Sequence, residues 1–121
     1  MTDKRVAGTV ILHLQNGSKK FLVHSIEGKE ELVCTDLLDN RTGLANILDY
    51  LKTEVKLDIS HCHLVELTNG QTDQTSMPLF VFETTEQEQK SEIPLDYTWE
   101  EPHGFRKIIQ DYEIEGMPLF E

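Results

Sequence analysis

The sequence predicts an α/β protein in which a mixed sheet lies between helices, and three observations indicate this fold. Residues 41–57 have the periodicity of an amphipathic helix. Runs of β-branched and aliphatic residues, typical of strands, precede and follow that segment. A second amphipathic helix is predicted over residues 102–111, with a proline in its first turn. The predicted order of elements is β-β-β-α-β-β-β-α.

Length and charge are those of a soluble globular domain that does not bind nucleic acid. The 121 residues are 38% hydrophobic and 27% charged, which predicts a single domain over residues 1–121. Eleven basic residues stand against 22 acidic ones, and the net charge is −11. Such a surface repels phosphate backbones, and no run of Lys or Arg forms a local basic patch.

The sequence also predicts a cytoplasmic location without a membrane partner. No segment approaches the roughly 18 apolar residues of a membrane span. Two cysteines, Cys34 and Cys62, do not make a disulfide framework, so we expect both thiols to be reduced.

The first third of the chain predicts a β-hairpin followed by a short strand. Residues 6–15 and 20–25 are rich in aliphatic residues, and the turn dipeptide Asn16-Gly17 lies between them. Residues 10–12 are apolar without alternation, which predicts a strand buried on both faces. After a turn at Glu27-Gly28, residues 31–34 predict the third strand.

The central helix is predicted to start near Thr42 or Gly43 and to continue to Leu57. Its apolar residues form one stripe of a 3.6-residue helix: Leu44, Ile47, Leu48, Leu51 and Val55. Burying each of them stabilises the fold by roughly 1.5–3 kcal/mol. Any chemistry on this helix must therefore use the polar groups on its opposite face.

The second half of the chain predicts three more strands. Residues 58–62 connect to a strand at 63–68, which we expect to stop at Asn69-Gly70. Residues 77–84 are the most hydrophobic strand candidate, and residues 97–99 the shortest. Residues 86–92 are predicted to form an acidic, solvated loop, which we expect to be the flexible point of the chain. Residues 117–120 repeat the MPLF of residues 77–80, which we interpret as coincidence because the surrounding residues differ.

This layout resembles the Nudix hydrolase domain, over about residues 6–112. The family's box reads G-x₅-E-x₇-R-E-U-x-E-E-x-G-U, in which U is a bulky aliphatic residue. In family members its glutamates hold Mg²⁺ or Mn²⁺ against a substrate diphosphate, and the metal helps to activate water. Placing the final aliphatic position on Leu57 extends the box back to Thr35.

The resemblance is to a degenerate Nudix box. Thr35 takes the position of the first glycine, Arg41 that of the upstream glutamate, and Lys56 that of the late glycine. The Arg-Glu pair becomes Asp49-Tyr50, and the Glu-Glu pair becomes Thr53-Glu54. The aliphatic positions match, whereas Glu54 alone survives among the charged and glycine positions.

A divalent cation is not expected on this helix, because Mg²⁺ needs carboxylates that the box no longer supplies. Positions 50, 53 and 54 offer a phenol, a hydroxyl and one carboxylate. Asp49 and Glu54 are five residues apart, which separates them by about 140° around an α-helix. The resemblance thus implies no metal and no cofactor, with Mg²⁺ or Mn²⁺ required only for a working hydrolase.

Other patterns leave alternatives open. In a strand His61 and His63 would share one face opposite Cys62, but no second ligand pair has metal-binding spacing. Cys34 or Cys62 as a nucleophile would need a base such as His24 or His63, and buried free cysteines are usually inert. A displaced metal site could combine the loop acids Asp36 and Asp39 with Glu54.

Three functions follow from the residues and the resemblance. The first is a catalytically inactive Nudix-like domain that acts as a ligand-binding or regulatory module for a nucleotide-like molecule, with ligand-binding candidates Arg41, Tyr50, Thr53, Lys56 and Trp99. The second is an active hydrolase of a nucleoside diphosphate derivative that uses Glu54 as its catalytic residue together with loop carboxylates. The third is a structural or homodimeric interaction protein. Trp99, with Tyr97 and Phe105, could instead close the core.

Overall fold

The computed structural model describes residues 5–37, 42–71, 76–89, 92–110 and 113–114. In chain order, the strands are β1 Arg5–His13, β2 Lys19–Ile26, β3 Lys29–Glu31, β4 Val33–Asp36, β5 His63–Gln71, β6 Ser76–Thr85, β7 Tyr97–Glu100 and β8 Glu113–Ile114. The helices are α1 Gly43–Thr53 and α2 Pro102–Ile109, and a short 3-10 helix, Ile59–His61, precedes β5. The predicted fold class, a mixed sheet between helices, is confirmed.

The sheet is built outward from β1. Its spatial order is β3-β2-β1-β6-β5-β8, while β4 pairs with β1 and β7 pairs with β2. One edge of β1 pairs in parallel with β6, from Ala7 opposite Leu79 to His13 opposite Thr85. The other edge pairs antiparallel with β4 near its start and with β2 near its end. The centre of the sheet is therefore formed by β1, from the beginning of the chain, and β6, from its second half.

Alternating side chains of the central strands supply two core layers, one under each helix. The layer beneath α1 contains Val6, Val10, Leu22, Val33, Ile47, Leu51, Val55, Leu57, Phe80, Phe82 and Tyr97. The layer beneath α2 contains Ala7, Ile11, Phe21, Val23, Leu32, Met77, Leu79, Val81, Phe105 and Ile109. Because β1 faces both layers, all of its residues except the two ends are buried. The prediction of a doubly buried first strand is confirmed.

α1 crosses the sheet at Gly8 of β1. A Cβ atom on Gly8 would lie 2.6 Å from Cγ1 of Ile47, which is fully buried. Since Cβ atoms do not approach other carbons so closely, the glycine allows the helix to lie directly on the strand. The opening turn of α1 is fixed by Thr42, whose Oγ1 accepts a hydrogen bond of 3.1 Å from the backbone N–H of Ala45. The predicted helix start is confirmed.

The predicted end of this helix at Leu57 is wrong. α1 ends at Thr53, and Lys56 lies in the left-handed region with φ +66°. This conformation reverses the chain, so that the Leu57 N–H donates a 3.0 Å hydrogen bond to the Leu51 carbonyl. The side chains of Val55 and Leu57 remain in the core although both lie beyond the helix. The apolar stripe therefore predicts burial correctly while overestimating the helix length.

Two strand predictions also need correction. Residues 31–34 do not form one strand: β3 ends at Glu31 and β4 begins at Val33. β3 pairs with β2 and β4 pairs with β1, so the chain crosses from one partner to another at Leu32. The strand predicted to stop at Asn69-Gly70 continues to Gln71, because both residues pair with β6.

The acidic loop after β6 is tied to the segment before β5 through Gln89. The side-chain oxygen of Gln89 accepts a 2.9 Å hydrogen bond from the Asp58 N–H. Its Nε2 donates to the Asp58 carbonyl at 2.9 Å and to Thr84 Oγ1 at 3.1 Å. In the ranges above, neither helix has the length and apolar character needed to cross a membrane.

We expect Lys56→Gly to raise the free energy of unfolding by about 0.5–1 kcal/mol. The left-handed conformation costs an L-residue roughly 1–2 kcal/mol, and the greater freedom of glycine in the unfolded chain offsets about half of that. Urea denaturation of both proteins measures the difference.

Lys56→Ala is the matched control, because it removes the charge and keeps the strained backbone. It should not raise the stability. If Lys56→Gly were no more stable than Lys56→Ala, strain at this position would not be the cause.

Candidate functional site

The candidate site lies where the end of α1 faces β7. Tyr50, Thr53 and Glu54 occupy the last turn of α1 and its cap, and Lys56 follows in the reversed loop. Tyr50 and Trp99 of β7 both pack against the core layer beneath α1. The structure therefore places these candidates around one end of one helix, while Arg41 lies outside the described residues.

A pair of tyrosines closes the space between α1 and β7. The hydroxyl of Tyr50 forms a short hydrogen bond with the hydroxyl of Tyr97, which is buried. The two rings meet edge to face, with centroids 6.2 Å apart and planes at 79°. The Tyr50 phenol, which the sequence comparison with the box aligns with a glutamate position, is thus engaged with another protein side chain.

The aromatic contact extends from Tyr97 to β2. His24 is the cross-strand partner of Tyr97, and the two rings stack with centroids 4.6 Å apart and planes at 16°. Burial raises the pKa of Tyr97, and its hydrogen bond to Tyr50 and the negative charges of Glu54 and Asp96 act in the same direction. The Tyr97 phenol is therefore protonated at neutral pH.

The remaining polar groups of α1 do not make a carboxylate cluster. Thr53 Oγ1 donates a 2.8 Å hydrogen bond to the Asp49 carbonyl, and Glu54 is exposed at the helix cap. Among the described residues, no group of three or more His, Cys, Asp or Glu side chains could hold a metal ion. One carboxylate beside two engaged hydroxyls does not fit the oxygen-rich coordination that Mg²⁺ or Mn²⁺ requires.

Trp99 is half-buried and has core partners of its own. It lies opposite Leu22 in the β2–β7 pair, and its indole packs against the layer beneath α1. This packing accounts for a large apolar side chain at this position without a ligand. Ligand binding by Trp99 stays a prediction.

Of the two proposed loop acids, the structure describes only Asp36, which does not form a metal-binding group with Glu54. Asp36 ends β4 and forms an exposed ion pair with Arg5, with 3.6 Å between Oδ1 and Nε. Asp39 lies outside the described ranges. The displaced metal site stays a prediction that no contact of Asp36 supports.

The His61-Cys62-His63 run does not lie within one strand. His61 ends the 3-10 helix and β5 begins only at His63, so the expected alternation does not apply. Nδ1 of His61 lies 2.9 Å from Oε2 of Glu88. Burial raises the pKa of the Cys62 thiol to about 11, with further contributions from the charges of Asp58 and Glu88. A thiol that stays protonated at neutral pH is a poor nucleophile.

Sequence reasoning missed a pair of carboxyl groups on the other side of the sheet. Glu30 of β3 shares a hydrogen bond with Glu100 of β7, beside a cavity of about 450 Å³ also lined by Lys107 and Ile108 of α2. This hydrogen bond, burial and the Glu100 charge raise the pKa of Glu30 to about 7. The two glutamates are 70 positions apart (100 − 30) and belong to different strands, so spacing could not have revealed the contact.

Comparison with known proteins identifies the fold. No protein-family profile matches the sequence, and no curated protein sequence matches it. The structure is similar to the Ap4A hydrolase of C. elegans, at 12% identity and TM-score 0.71, over 90% of this chain and 87% of that one. It is also similar to the Nudix hydrolase RenU of M. smegmatis, at 8% identity and TM-score 0.63, over 88% of this chain and 75% of that one.

A third similar structure is the Nudix domain of Shewanella oneidensis NrtR in complex with ADP ribose. The likeness has 10% identity and TM-score 0.57, and it covers 89% of this chain and 79% of that one. Together these likenesses show that the chain has the Nudix fold. At these identities the likeness establishes the fold alone.

The Tyr50–Tyr97 contact predicts a non-additive double variant. Tyr50→Phe or Tyr97→Phe alone leaves one hydroxyl in the interior without its partner, and each should lower the free energy of unfolding by about 1–3 kcal/mol. The double variant Tyr50→Phe/Tyr97→Phe should lose less than the sum of the two, because no unpaired hydroxyl remains. Urea denaturation of the four proteins measures the coupling, and additive losses would contradict the contact.

The Glu30–Glu100 pair predicts a pH dependence of stability. The folded-state pKa of Glu30, about 7, lies above its ordinary value of 4.5, so the folded protein binds the proton more tightly than the unfolded chain. This contribution to stability is complete below about pH 4.5 and is lost as the pH rises to about 7.

Glu30→Gln should therefore flatten the decline in stability between pH 5 and pH 8, as measured by urea denaturation at each pH. Glu27→Gln, an exposed position in the adjacent turn, is the control and should leave the slope unchanged. An unchanged slope in Glu30→Gln would show that the pair does not share a proton.

Proposed function

We propose that this protein is a catalytically inactive Nudix-fold module that acts by binding and not by turnover. The observation that carries the proposal is the Tyr50–Tyr97 hydrogen bond, because it occupies the end of α1 at which a metal-holding carboxylate would be needed. A phenol engaged with a second phenol offers no anionic oxygen to a divalent cation.

Two further observations support inactivity. The hydroxyl of Thr53, at a second box-glutamate position, is engaged with the backbone of its own helix. Glu54 is the one carboxylate left at the three positions, and hard cations in phosphate-transfer sites take ligands from carboxylates, phosphates and water together. Without the metal, the charge of a substrate diphosphate would remain unneutralised and water would remain unactivated.

The ligand class that we propose is a nucleotide-like molecule with a phosphate group. The support is chemical: Lys56 is exposed and presents a cation beside the end of α1, where Glu54 is the one box glutamate that remains to repel an anion. The NrtR Nudix domain in complex with ADP ribose is a precedent for the fold holding a nucleotide-derived ligand. Arg41, which precedes Thr42 in the sequence, is the second cation that this proposal includes.

An active hydrolase is the alternative. It would use Glu54 with carboxylates from loops, and Asp36 would have to leave its ion pair with Arg5 to take part. Exposed ion pairs are worth little, so that step is not costly. The decisive difference between the two functions is therefore metal-dependent turnover.

The test is a substrate panel of dinucleoside polyphosphates, ADP ribose and nucleoside triphosphates, with Mg²⁺ or Mn²⁺ present. We expect no release of phosphate or nucleotide, while a thermal shift with one of these ligands shows binding without turnover. A ligand at 100 times its Kd adds about 2.7 kcal/mol to the stability of the folded state.

Lys56→Ala should abolish the ligand-induced shift, whereas Lys107→Ala on α2, across the sheet, should retain it. Metal-dependent turnover that disappears in Glu54→Gln would sink the proposal and establish the hydrolase. If no ligand shifted the unfolding temperature, the proposal of nucleotide binding would be wrong. A structural or homodimeric role would then be favoured.

A further inference from the structure

The dipeptide Asn-Gly occurs twice in the sequence, at Asn16-Gly17 and at Asn69-Gly70, and the structure gives the two copies different surroundings. The first copy lies in the turn between β1 and β2, and the second lies inside β5. Asn-Gly is chemically labile, because the backbone nitrogen of the glycine can attack the side-chain amide of the asparagine and no Cβ atom hinders its approach. The local backbone therefore decides whether each copy reacts.

The turn at Asn16-Gly17 is open to solvent. Residues 15–18 are all exposed, and a Cβ atom on Gly17 would have no atom within 4 Å apart from its chain neighbours. The turn is closed by hydrogen bonds from the Leu14 N–H to the Ser18 carbonyl, 2.9 Å, and from the Gly17 N–H to the Leu14 carbonyl, 3.0 Å. Opening an exposed loop costs little free energy compared with global unfolding, so the Gly17 nitrogen becomes available while the sheet stays intact.

The side chain of Asn16 is polarised by Ser18. Its Oδ1 accepts hydrogen bonds from the Ser18 N–H at 2.9 Å and from the Ser18 hydroxyl at 2.6 Å. Both donors are placed to stabilise the negative charge that develops on Oδ1 when a nucleophile adds to Cγ. The turn thus combines an accessible nucleophile with an activated amide carbonyl.

Asn69-Gly70 lacks this freedom, although the Asn69 side chain is also exposed. Both residues pair with β6, with Asn69 opposite Pro78 and Gly70 opposite Met77. Gly70 pairs on its other side with Ile114 of β8. The Gly70 nitrogen reaches the Asn69 side chain only if the peptide group between them rotates, and that rotation would disrupt pairing with both neighbouring strands.

We propose that Asn16 undergoes spontaneous deamidation in the folded protein, assisted by Ser18, and that β5 protects Asn69 from the same reaction. The Gly17 nitrogen gives up its proton to solvent and forms a bond to Asn16 Cγ. The side-chain nitrogen takes up a proton and leaves as ammonia. Water then opens the resulting cyclic imide, so the net reaction consumes one water and releases one ammonia, without an oxidant or a reductant.

The two products of imide opening differ in their effect on the turn. Hydrolysis of the bond between the nitrogen and Cγ gives aspartate, which keeps the backbone and an oxygen for the Ser18 donors. Hydrolysis of the bond to the main-chain carbonyl gives isoaspartate, which inserts a methylene group into the backbone. The turn spans only Leu14 to Ser18, so this longer backbone loosens the hairpin beside the His13–Lys19 pair. Either product lowers the net charge from −11 to −12 (−11 − 1).

Mass spectrometry of the folded full-length protein, incubated at neutral pH, tests the proposal. Deamidation adds one mass unit to a peptide, and digestion in heavy-oxygen water marks any product formed during sample preparation. We expect Asn16 to react at least about tenfold faster than Asn69, the factor that corresponds to about 1.4 kcal/mol of additional opening free energy in β5.

The urea-unfolded protein is the matched control within the same chain. Without the sheet, the two Asn-Gly copies present the same reacting groups to the same solvent and should deamidate at similar rates. The protection of Asn69 should therefore disappear on unfolding, which would assign the protection to strand pairing.

Ser18→Ala tests the stabilisation of the developing charge. Loss of the hydroxyl donor should slow the deamidation of Asn16 in the folded protein by about 2–10-fold, the rate equivalent of one hydrogen bond. Ser18→Thr keeps a hydroxyl and should retain the original rate. In urea the original protein and both variants should react alike, because the turn that aligns the hydroxyl is lost.

Three outcomes overturn the proposal. If residue 16 gave no product in the folded protein, the turn would be holding the Gly17 nitrogen away from Cγ. Equal rates at Asn16 and Asn69 in the folded protein would show that β5 gives no protection. A Ser18→Ala protein that reacts as fast as the original, or faster, would show that Ser18 does not assist the reaction.

Discussion

The parallel pairing of β1 with β6 is the constraint on which the rest of the structure depends. It joins the start of the chain to its second half, and both strands are buried on two faces. Because side chains alternate along β1, the same strand supplies Val6 and Val10 to one layer and Ala7 and Ile11 to the other. Both helices then have an apolar surface to cover. The α/β/α arrangement follows from this double burial.

α1 packs on the sheet through its inner side and meets β7 at its outer end. Its inner side rests on Gly8 through Ile47, and the reversal at Lys56 returns Val55 and Leu57 to the core. That reversal requires a left-handed residue, and a lysine adopts it at a cost that glycine would avoid. The outer end of the helix meets β7 through two phenols. Packing thus holds the inner side of the helix, while its outer end is part of an aromatic contact.

Periodicity and burial were readable from the sequence, whereas element ends and long-range pairings were not. The apolar stripe of residues 44–55 correctly predicted which side chains face the core. It did not predict that the helix ends at Thr53, because Val55 reaches the core from outside the helix. Asn69-Gly70 has the composition of a turn, yet pairing with β6 holds both residues in a strand. The run from residue 31 to 34 divides at Leu32, because its two halves have different partners. The two strand errors arose where tertiary pairing outweighed local preference.

The sequence by itself determined the sandwich and the first turn of α1 at Thr42, and it supplied the alignment that predicts box-glutamate positions at Tyr50 and Thr53. These depend on side-chain identity and short spacing, which are local properties of the chain. Only the tertiary structure decided what these side chains contact. Tyr97 is 47 residues from Tyr50, and Glu100 is 70 residues from Glu30. The sheet brings such groups within hydrogen-bonding distance because strands distant in sequence become neighbours in space, and no local pattern encodes that neighbourhood.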